Sequence, residues 1–103
     1  LDQAEAMLQR ALTQNPDNAA MLDSLGWILH RRGQSAEAIR WLELASELAP
    51  YDPTINDHLG DAYWAVGRQR EARFQWQRAL TYHQPEEMIT LSLDDLRRKL
   101  EQG

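Results

Sequence analysis

The chain of 103 residues contains no cysteine and only one phenylalanine. Without cysteine, it can form neither a disulfide framework nor a thiolate metal site. No stretch approaches the roughly 18 consecutive apolar residues of a membrane helix, so we expect no membrane insertion by this segment. The net charge of −5 is opposite in sign to what phosphate recognition requires. The sequence therefore argues against a nucleic-acid-binding protein.

The first residues also lack the features of a secretory signal. Residues 1–5 have no initiator methionine and no basic segment, and no apolar segment follows them. We therefore expect the sequence to be a segment of a longer protein, with any targeting signal outside it. The compartment, whether cytoplasm, periplasm or envelope, stays open.

What the sequence does contain is an internal repeat with a spacing of 34 residues. Gly60 follows Gly26 at this spacing, and Gly67 follows Gly33. The same spacing relates Ala4 to Ala38 and Ala72, Ala11 to Ala45 and Ala79, Asp23 to Asp57, Leu25 to Leu59, and Pro16 to Pro50. A fixed period of about 20 to 50 residues is typical of a solenoid, in which each unit packs on its neighbours.

Apolar residues at helical spacing predict six short helices. The predicted ranges are 2–14, 19–32, 35–48, a helix between Asp52 and Gly67, 69–82 and 93–102. Asp17 or Asn18 is expected to cap the second helix, and Asp52 caps the fourth with Pro53 at its first position. Gly33 is expected to end the second helix in the left-handed conformation. Ser92 and Asp95 have the spacing of a capping box before the last helix.

These residues resemble the tetratricopeptide repeat, a helix-turn-helix unit. One complete repeat pattern is filled by Leu22, Leu25, Gly26, Leu29, Ala38, Leu42, Ala45 and Pro50. The next is carried by Leu59, Gly60, Tyr63, Ala72, Trp76 and Ala79. It departs from the family pattern at Asn56, where a large apolar residue is usual, and at Gln84, where proline comes one place late.

The resemblance implies an all-α, right-handed superhelical solenoid fragment that forms one domain. Residues 1–16 are expected to be the second helix of a truncated repeat, 17–50 and 51–84 complete repeats, and 85–103 a C-terminal capping helix. The family pattern places small residues where helices cross, here Gly26, Gly60, Ala38 and Ala72. A cap is needed because the uncovered end of a solenoid exposes its core.

Tetratricopeptide arrays generally bind an extended peptide or a partner helix in a concave groove lined by the first helix of each repeat. The groove positions map onto Asp23, Ser24, Trp27, His30 and Arg31 in one repeat, and onto Asp57, His58, Asp61 and Trp64 in the next. The aspartates favour basic ligands, and the tryptophans offer the large rigid contacts that are common at binding hot spots. The resemblance thus predicts a protein or peptide partner of basic or aromatic character.

Simpler interpretations of the same residues stay open. Trp27 and Trp64 can pack against neighbouring helices, and the aspartates can be solvated or paired locally. A metal site at Asp57, His58 and Asp61 lacks a further ligand, so we expect neither metal nor cofactor. Ser24 has no paired base, so no enzymatic activity is expected.

The late basic residues are expected to lie on the outer face and to pair with nearby acids rather than to bind nucleic acid. The basic set is Arg68, Arg70, Arg73, Arg78, Arg97, Arg98 and Lys99, and the acidic set is Glu71, Glu86, Glu87, Asp94, Asp95 and Glu101.

The sequence favours a protein–protein interaction scaffold at the C-terminal end of a long bacterial protein, because stretches such as "DSLGW" resemble the final repeats of such proteins. The alternative is a structural cap or self-association module, with ligand sites upstream. An enzyme ranks third and requires a catalytic segment elsewhere. Residues 2–14 are expected to leave Met7, Leu8, Ala11 and Leu12 uncovered on one side and to support a homodimer.

Overall fold

The computed structural model describes residues 2–14, 17–83 and 93–102. All regular elements in these ranges are helices: α1 Asp2–Gln14, α2 Ala19–Arg31, α3 Ser35–Leu48, α4 Pro53–Ala65, α5 Gln69–Tyr82 and α6 Leu93–Glu101. Their bounds agree with the sequence-based prediction to within one residue where that prediction gave a range. The expected all-α class is confirmed, and none of the described helices combines the length and apolarity needed to cross a bilayer.

Local signals place the helix ends as expected. The Asn18 side chain accepts a hydrogen bond from the Met21 amide at 3.0 Å, so Asn18 rather than Asp17 caps α2. Asp52 caps α4 by accepting from the amides of the two residues that follow Pro53, at 2.9 and 3.2 Å. Gly33 and Gly67 follow α2 and α4 with φ of +82° and +85°. These left-handed positions end the first helix of each pair, and the chain then enters α3 or α5.

The helices pack as two consecutive pairs, α2 with α3 and α4 with α5, joined by contacts between α3 and α4. Leucines fill the interior of the first pair, and alanines permit close helix approach in both. The fully buried members are Leu25, Ala38, Leu42, Ala45, Ala62, Ala72, Ala79 and, from α6, Leu96. Small side chains at these positions let facing side chains interdigitate at the density of a protein interior.

The two helix-crossing glycines face different neighbours. A Cβ on Gly26 would lie 2.5 Å from Leu42 Cγ and 3.2 Å from the carbonyl oxygen of Ala38. A Cβ on Gly60 would lie 2.5 Å from both Cδ1 and Nε1 of Trp76. Gly60 therefore gives the Trp76 indole its place against α4, and this placement matters for the site described below.

α6 covers the end of the second pair. Leu96 is fully buried, Leu100 is packed against the core, and the Arg73 guanidinium on α5 donates to the Leu100 carbonyl. The position of α6 against α5 agrees with a covering role for the last helix. Ser92 of the expected capping box lies outside the described residues, as do Pro16, Gln84, Pro85, Glu86 and Glu87.

α1 is more completely covered on its apolar side than the sequence suggested. Leu12 is buried and borders a shallow depression together with Leu22 and Trp41, so the expectation that Leu12 is uncovered is wrong. The reason is that α2 packs directly on α1. Met7 remains 64% exposed, whereas Leu8 and Ala11 are half-buried.

Candidate functional site

The residues expected to line a groove come from α2 and α4, and the structure brings several of them into contact. We call this the α2–α4 surface. At one end lie Asp23, Trp27, His30 and His58, which we call the histidine cluster. At the other end lie Asp57, Asp61 and Trp76 together with Lys99 of α6, which we call the lysine cluster. The two clusters differ in the side chain that contacts their carboxylates, a histidine in one and a lysine in the other.

In the histidine cluster, one repeat contacts the next through a polar pair and a ring stack. His58 Nδ1 on α4 lies 2.8 Å from Asp23 Oδ1 on α2, and the two side chains are only 17% and 15% exposed. The His58 ring stacks on Trp27 with centroids 4.0 Å apart and planes 17° from parallel. Asp23 therefore has a local partner on the next repeat, and its role in ligand binding stays a prediction.

His30 links the histidine cluster on α2 to the start of α3. Its Nδ1 lies 2.9 Å from Ser35 Oγ, and its ring centroid lies 5.3 Å from that of Trp27. Burial lowers the pKa of His30, and although Asp61 acts in the opposite direction, the positive charge of Arg31 and Lys99 adds to the lowering. His30 is consequently neutral at pH 7 and serves as a hydrogen-bonding group rather than as a charge.

The lysine cluster is a bridged acid pair. Lys99 Nζ lies 2.8 Å from Asp57 Oδ1 and 3.0 Å from Asp61 Oδ1, and 5.6 Å from the Trp76 ring centroid. Trp76 in turn donates its indole N–H to Asp61 Oδ1 at 3.1 Å. Asp57 and Asp61 lie one helical turn apart on α4, so a single ammonium group can serve both.

Electrostatics explains why a cation is held here. Burial raises the pKa of Asp57, the neighbouring charge of Asp61 raises it further, and Lys99 acts against both. For Lys99, burial alone would lower the pKa, but the attraction of Asp57 and Asp61 outweighs it, and the net pKa is raised. The two carboxylates therefore hold Lys99 in its charged form, whereas Lys99 only partly offsets the burial and the Asp61 charge that raise the pKa of Asp57.

The position of Lys99 corrects the expectation that it pairs with acids on the outer face. The expectation holds for other members of that set, since Arg98 pairs with Asp95 at 2.9 Å and Arg68 with Glu71 at 3.1 Å. The spacing of Asp57 and Asp61, one helical turn apart, is the sequence signal that favours a cation at this place. Which of the 11 basic residues supplies it depends on how α6 docks, and no local pattern encodes that docking.

A cleft of about 290 Å³ lies between the two clusters. Its lining residues are His30, Asp61, Trp64, Ala65, Trp76, Lys99 and Gln102. Trp64 is half-buried and tilted by 36° against Trp76, with ring centroids 5.5 Å apart. Ser24 and Arg31 are exposed on α2, with the Arg31 guanidinium 5.9 Å from the Trp27 ring centroid.

The acidic and histidine side chains of this surface do not converge as metal ligands. Among the described residues, no group of three histidine or carboxylate side chains is placed to hold a metal ion. Asp57 and Asp61 instead share the Lys99 ammonium, while His58 turns to Asp23. The arrangement thus provides polar and aromatic contact groups around a recess.

Comparison with known proteins agrees with the helical-repeat architecture. The family model described as tetratricopeptide repeat matches residues 1–53. A TPR repeat-containing protein of Pseudomonas aeruginosa is 41% identical over 59 residues, which is 57% of this chain and 10% of that relative. The chain thus corresponds to a small part of the relative's length. Because the family model covers more than half of its residues, the chain belongs to the tetratricopeptide repeat family.

Proposed function

We propose that this chain is a protein–protein interaction scaffold whose α2–α4 surface binds an extended peptide or a partner helix. Tetratricopeptide proteins are generally non-catalytic scaffolds for protein partners, which supports the general role. The observation that carries the specific proposal is the cleft between the two clusters, walled by Trp64 and Trp76. A half-buried tryptophan offers a rigid apolar contact with a polar edge, as binding hot spots require.

The contacts already made within the chain narrow the chemistry of the ligand. Asp23 contacts His58, and Asp57 and Asp61 share the positive charge of Lys99, so the surface is less negative than the three aspartates alone suggest. An aromatic or aliphatic side chain fits the cleft, and a basic group can reach the carboxylates around it. For a short array with a preformed surface, we expect an affinity of about 1 μM, or about −8 kcal/mol.

Tryptophan accessibility and ligand binding together test this proposal. Emission of the wild type is compared with that of Trp27→Phe and Trp64→Phe, with and without acrylamide, and basic and aromatic peptides are then titrated. We expect both tryptophans to be quenched and both substitutions to weaken peptide binding about tenfold. Trp41→Phe is the matched control, because Trp41 lies on α3 and borders the depression beside α1, outside the α2–α4 surface. Equal binding by all three variants would contradict the proposal.

A second candidate function is that of a structural cap, with ligand sites upstream in a longer array. The observation that favours it is the seating of α6, with Leu96 buried and Lys99 bridging two carboxylates of α4. Under this function, Trp27 and Trp64 are shielded from acrylamide in the monomer and no peptide binds. The same fluorescence measurement therefore separates the two functions.

Self-association through residues 2–14 is a further proposal. Met7 is exposed and borders a depression with Arg10, Ala11 and Gln14. An exposed apolar side chain beside half-buried neighbours supports contact with a second copy. Sedimentation equilibrium at increasing concentration tests it: a dimer is expected for the wild type and a monomer for Met7→Asp, and a wild type that stays monomeric would contradict it.

A further inference from the structure

α6 contacts the rest of the molecule in the way that a bound helical ligand would. One apolar residue, Leu96, is fully buried, and Lys99, three residues later, places its ammonium between two carboxylates. Residues three apart lie on the same side of a helix, so the two contacts form one binding edge. Asp94, Asp95, Arg97, Arg98 and Glu101 are exposed on the remainder of α6.

α6 is the shortest of the described helices. α6 has only nine residues, whereas α2 to α5 have 13 or 14 each. Isolated helices shorter than about 12 residues are marginal in water, so α6 depends on its contacts with α4 and α5. Those contacts are the burial of Leu96, the packing of Leu100 and the hydrogen bond from Arg73, in addition to Lys99.

We propose that Asp57 and Asp61 form a lysine-recognition site that α6 fills in cis, and that an amphipathic partner helix presenting leucine and lysine three residues apart competes with α6 for it. This inference rests on the proposed function and names the class of partner. α6 itself shows that the surface accepts a leucine and a lysine three residues apart on a helix.

The charge balance of the site makes the competition selective. Removing Lys99 leaves two like-charged carboxylates, only 16% and 20% exposed, one helical turn apart. A neutral ligand does not compensate them, whereas an incoming ammonium restores both contacts. A lysine suits the position because a compact ammonium can bridge two oxygens at 2.8 and 3.0 Å while lying near the Trp76 ring.

Displacement of α6 would also change the cleft. Lys99 and Gln102 form part of its wall, and the remaining wall comes from α2, α4 and α5. When α6 leaves, the face of Trp76 that Lys99 approaches becomes available to the partner helix. The same contact that completes the fold therefore limits access to the α2–α4 surface.

The test uses the full chain and a labelled peptide with the sequence of residues 91–102, LSLDDLRRKLEQ. Lys99→Glu places a negative charge against Asp57 and Asp61 and weakens docking of the chain's own α6. Arg98→Glu is the matched control, because it makes the same charge change one residue away on a side chain that is 70% exposed. Fluorescence anisotropy then gives the affinity of each chain for the peptide in trans.

We expect weak binding by the wild type and Arg98→Glu, because the tethered α6 competes at a high effective concentration. Lys99→Glu is expected to bind the peptide at least about tenfold more tightly, a gain of about 1.4 kcal/mol. A peptide with glutamine in place of its lysine is expected to lose this gain, as is a chain that also carries Asp57→Asn and Asp61→Asn.

Equal affinity of the wild type and Lys99→Glu, or a glutamine peptide that binds as tightly as the lysine peptide, overturns the inference. If circular dichroism shows that Lys99→Glu does not fold, Lys99→Met removes the ammonium with similar side-chain length, and the same gain is expected. The proposed function fails separately, through loss of the Trp27→Phe and Trp64→Phe effects on binding of basic and aromatic peptides.

Discussion

The histidine cluster and the lysine cluster each contain an aspartate at the equivalent position of its repeat. The two aspartates contact different partners. Asp23 and Asp57 are 34 residues apart in the sequence. Asp23 contacts His58 on the first helix of the following repeat, whereas Asp57 contacts Lys99 on the covering helix α6. Inside the array, a repeat can supply the partner of its neighbour's aspartate. After the second helix pair, α6, a helix outside the period, supplies the partner through its Lys99 ammonium group.

The largest expected effect on stability comes from replacing the helix-crossing glycine of each repeat. Gly60→Ala places a Cβ against the rigid indole of Trp76, whereas Gly26→Ala meets the Leu42 side chain, which can change rotamer, and the Ala38 carbonyl oxygen at 3.2 Å. We expect Gly60→Ala to lower the free energy of unfolding by about 2–3 kcal/mol and Gly26→Ala by about 1–2 kcal/mol. Urea unfolding measures both.

Near-ultraviolet circular dichroism provides a second comparison of the two glycine variants. Displacement of Trp76 breaks its hydrogen bond to Asp61, so the aromatic signal is expected to change in Gly60→Ala and to persist in Gly26→Ala. Equal stability losses together with identical spectra would show that Trp76 adjusts as readily as Leu42.

The next effect concerns the cation of the lysine cluster. Lys99→Met leaves Asp57 and Asp61 without their shared ammonium, and we expect a loss of about 1–2 kcal/mol in the free energy of unfolding at pH 7. Arg98→Met is the control, because the exposed pair of Arg98 with Asp95 is worth less than about 0.5 kcal/mol. Chemical denaturation of both variants provides the measurement.

The sign of the pH dependence separates this effect from a simple packing loss. Asp57 already has a raised pKa from burial and from Asp61, and loss of Lys99 raises it further. A carboxylate with a raised folded-state pKa destabilises the fold above its ordinary pKa of about 4 and ceases to do so when it is protonated. The loss in Lys99→Met should therefore shrink as the pH falls toward 4, and a loss independent of pH would indicate packing alone.

A smaller effect is expected in the histidine cluster. His58→Phe keeps a ring to stack on Trp27 but removes the group that contacts Asp23. We expect a loss of about 1 kcal/mol, the net contribution of a typical hydrogen bond to stability. A double-mutant cycle with Asp23→Asn isolates the pair, and a coupling energy near zero would mean that the contact adds nothing to stability.

The sequence predicted most of the fold because the helix signals are local. Asn18 and Asp52 cap by bonding amides two or three residues away, and Gly33 ends α2 through its own backbone conformation. The period of 34 residues then specifies which helices pair, since equivalent residues must occupy equivalent positions. These features need no knowledge of distant contacts.

The candidate surface was only partly predictable, because its polar partners are distant in sequence. The contact of His58 with Asp23 spans 35 residues and that of Lys99 with Asp57 spans 42. The separation of His58 and Asp23 is close to the repeat period, so an alignment of the two adjacent repeats could have suggested their contact. The second contact depends on α6, which does not follow the period. The burial of Leu12 was not predicted for a similar reason, since the side chains that bury it belong to another helix.

The smallest expected effect concerns His30, a member of the histidine cluster that also lines the cleft. Burial lowers its pKa, and His58, Arg31 and Lys99 add to the lowering while Asp61 opposes it. The unfolded chain therefore takes up a proton near the ordinary pKa of 6.5, before the folded chain does. The stability that depends on the neutral form of His30 is complete above this ordinary pKa and is lost as the pH falls below it. When the pH is lowered from 7.5 to 5.5, we expect the Tm of His30→Gln to fall by about 1–2 °C less than the Tm of the wild type. Equal slopes for the wild type and His30→Gln would mean that the Ser35 contact is retained by the protonated ring.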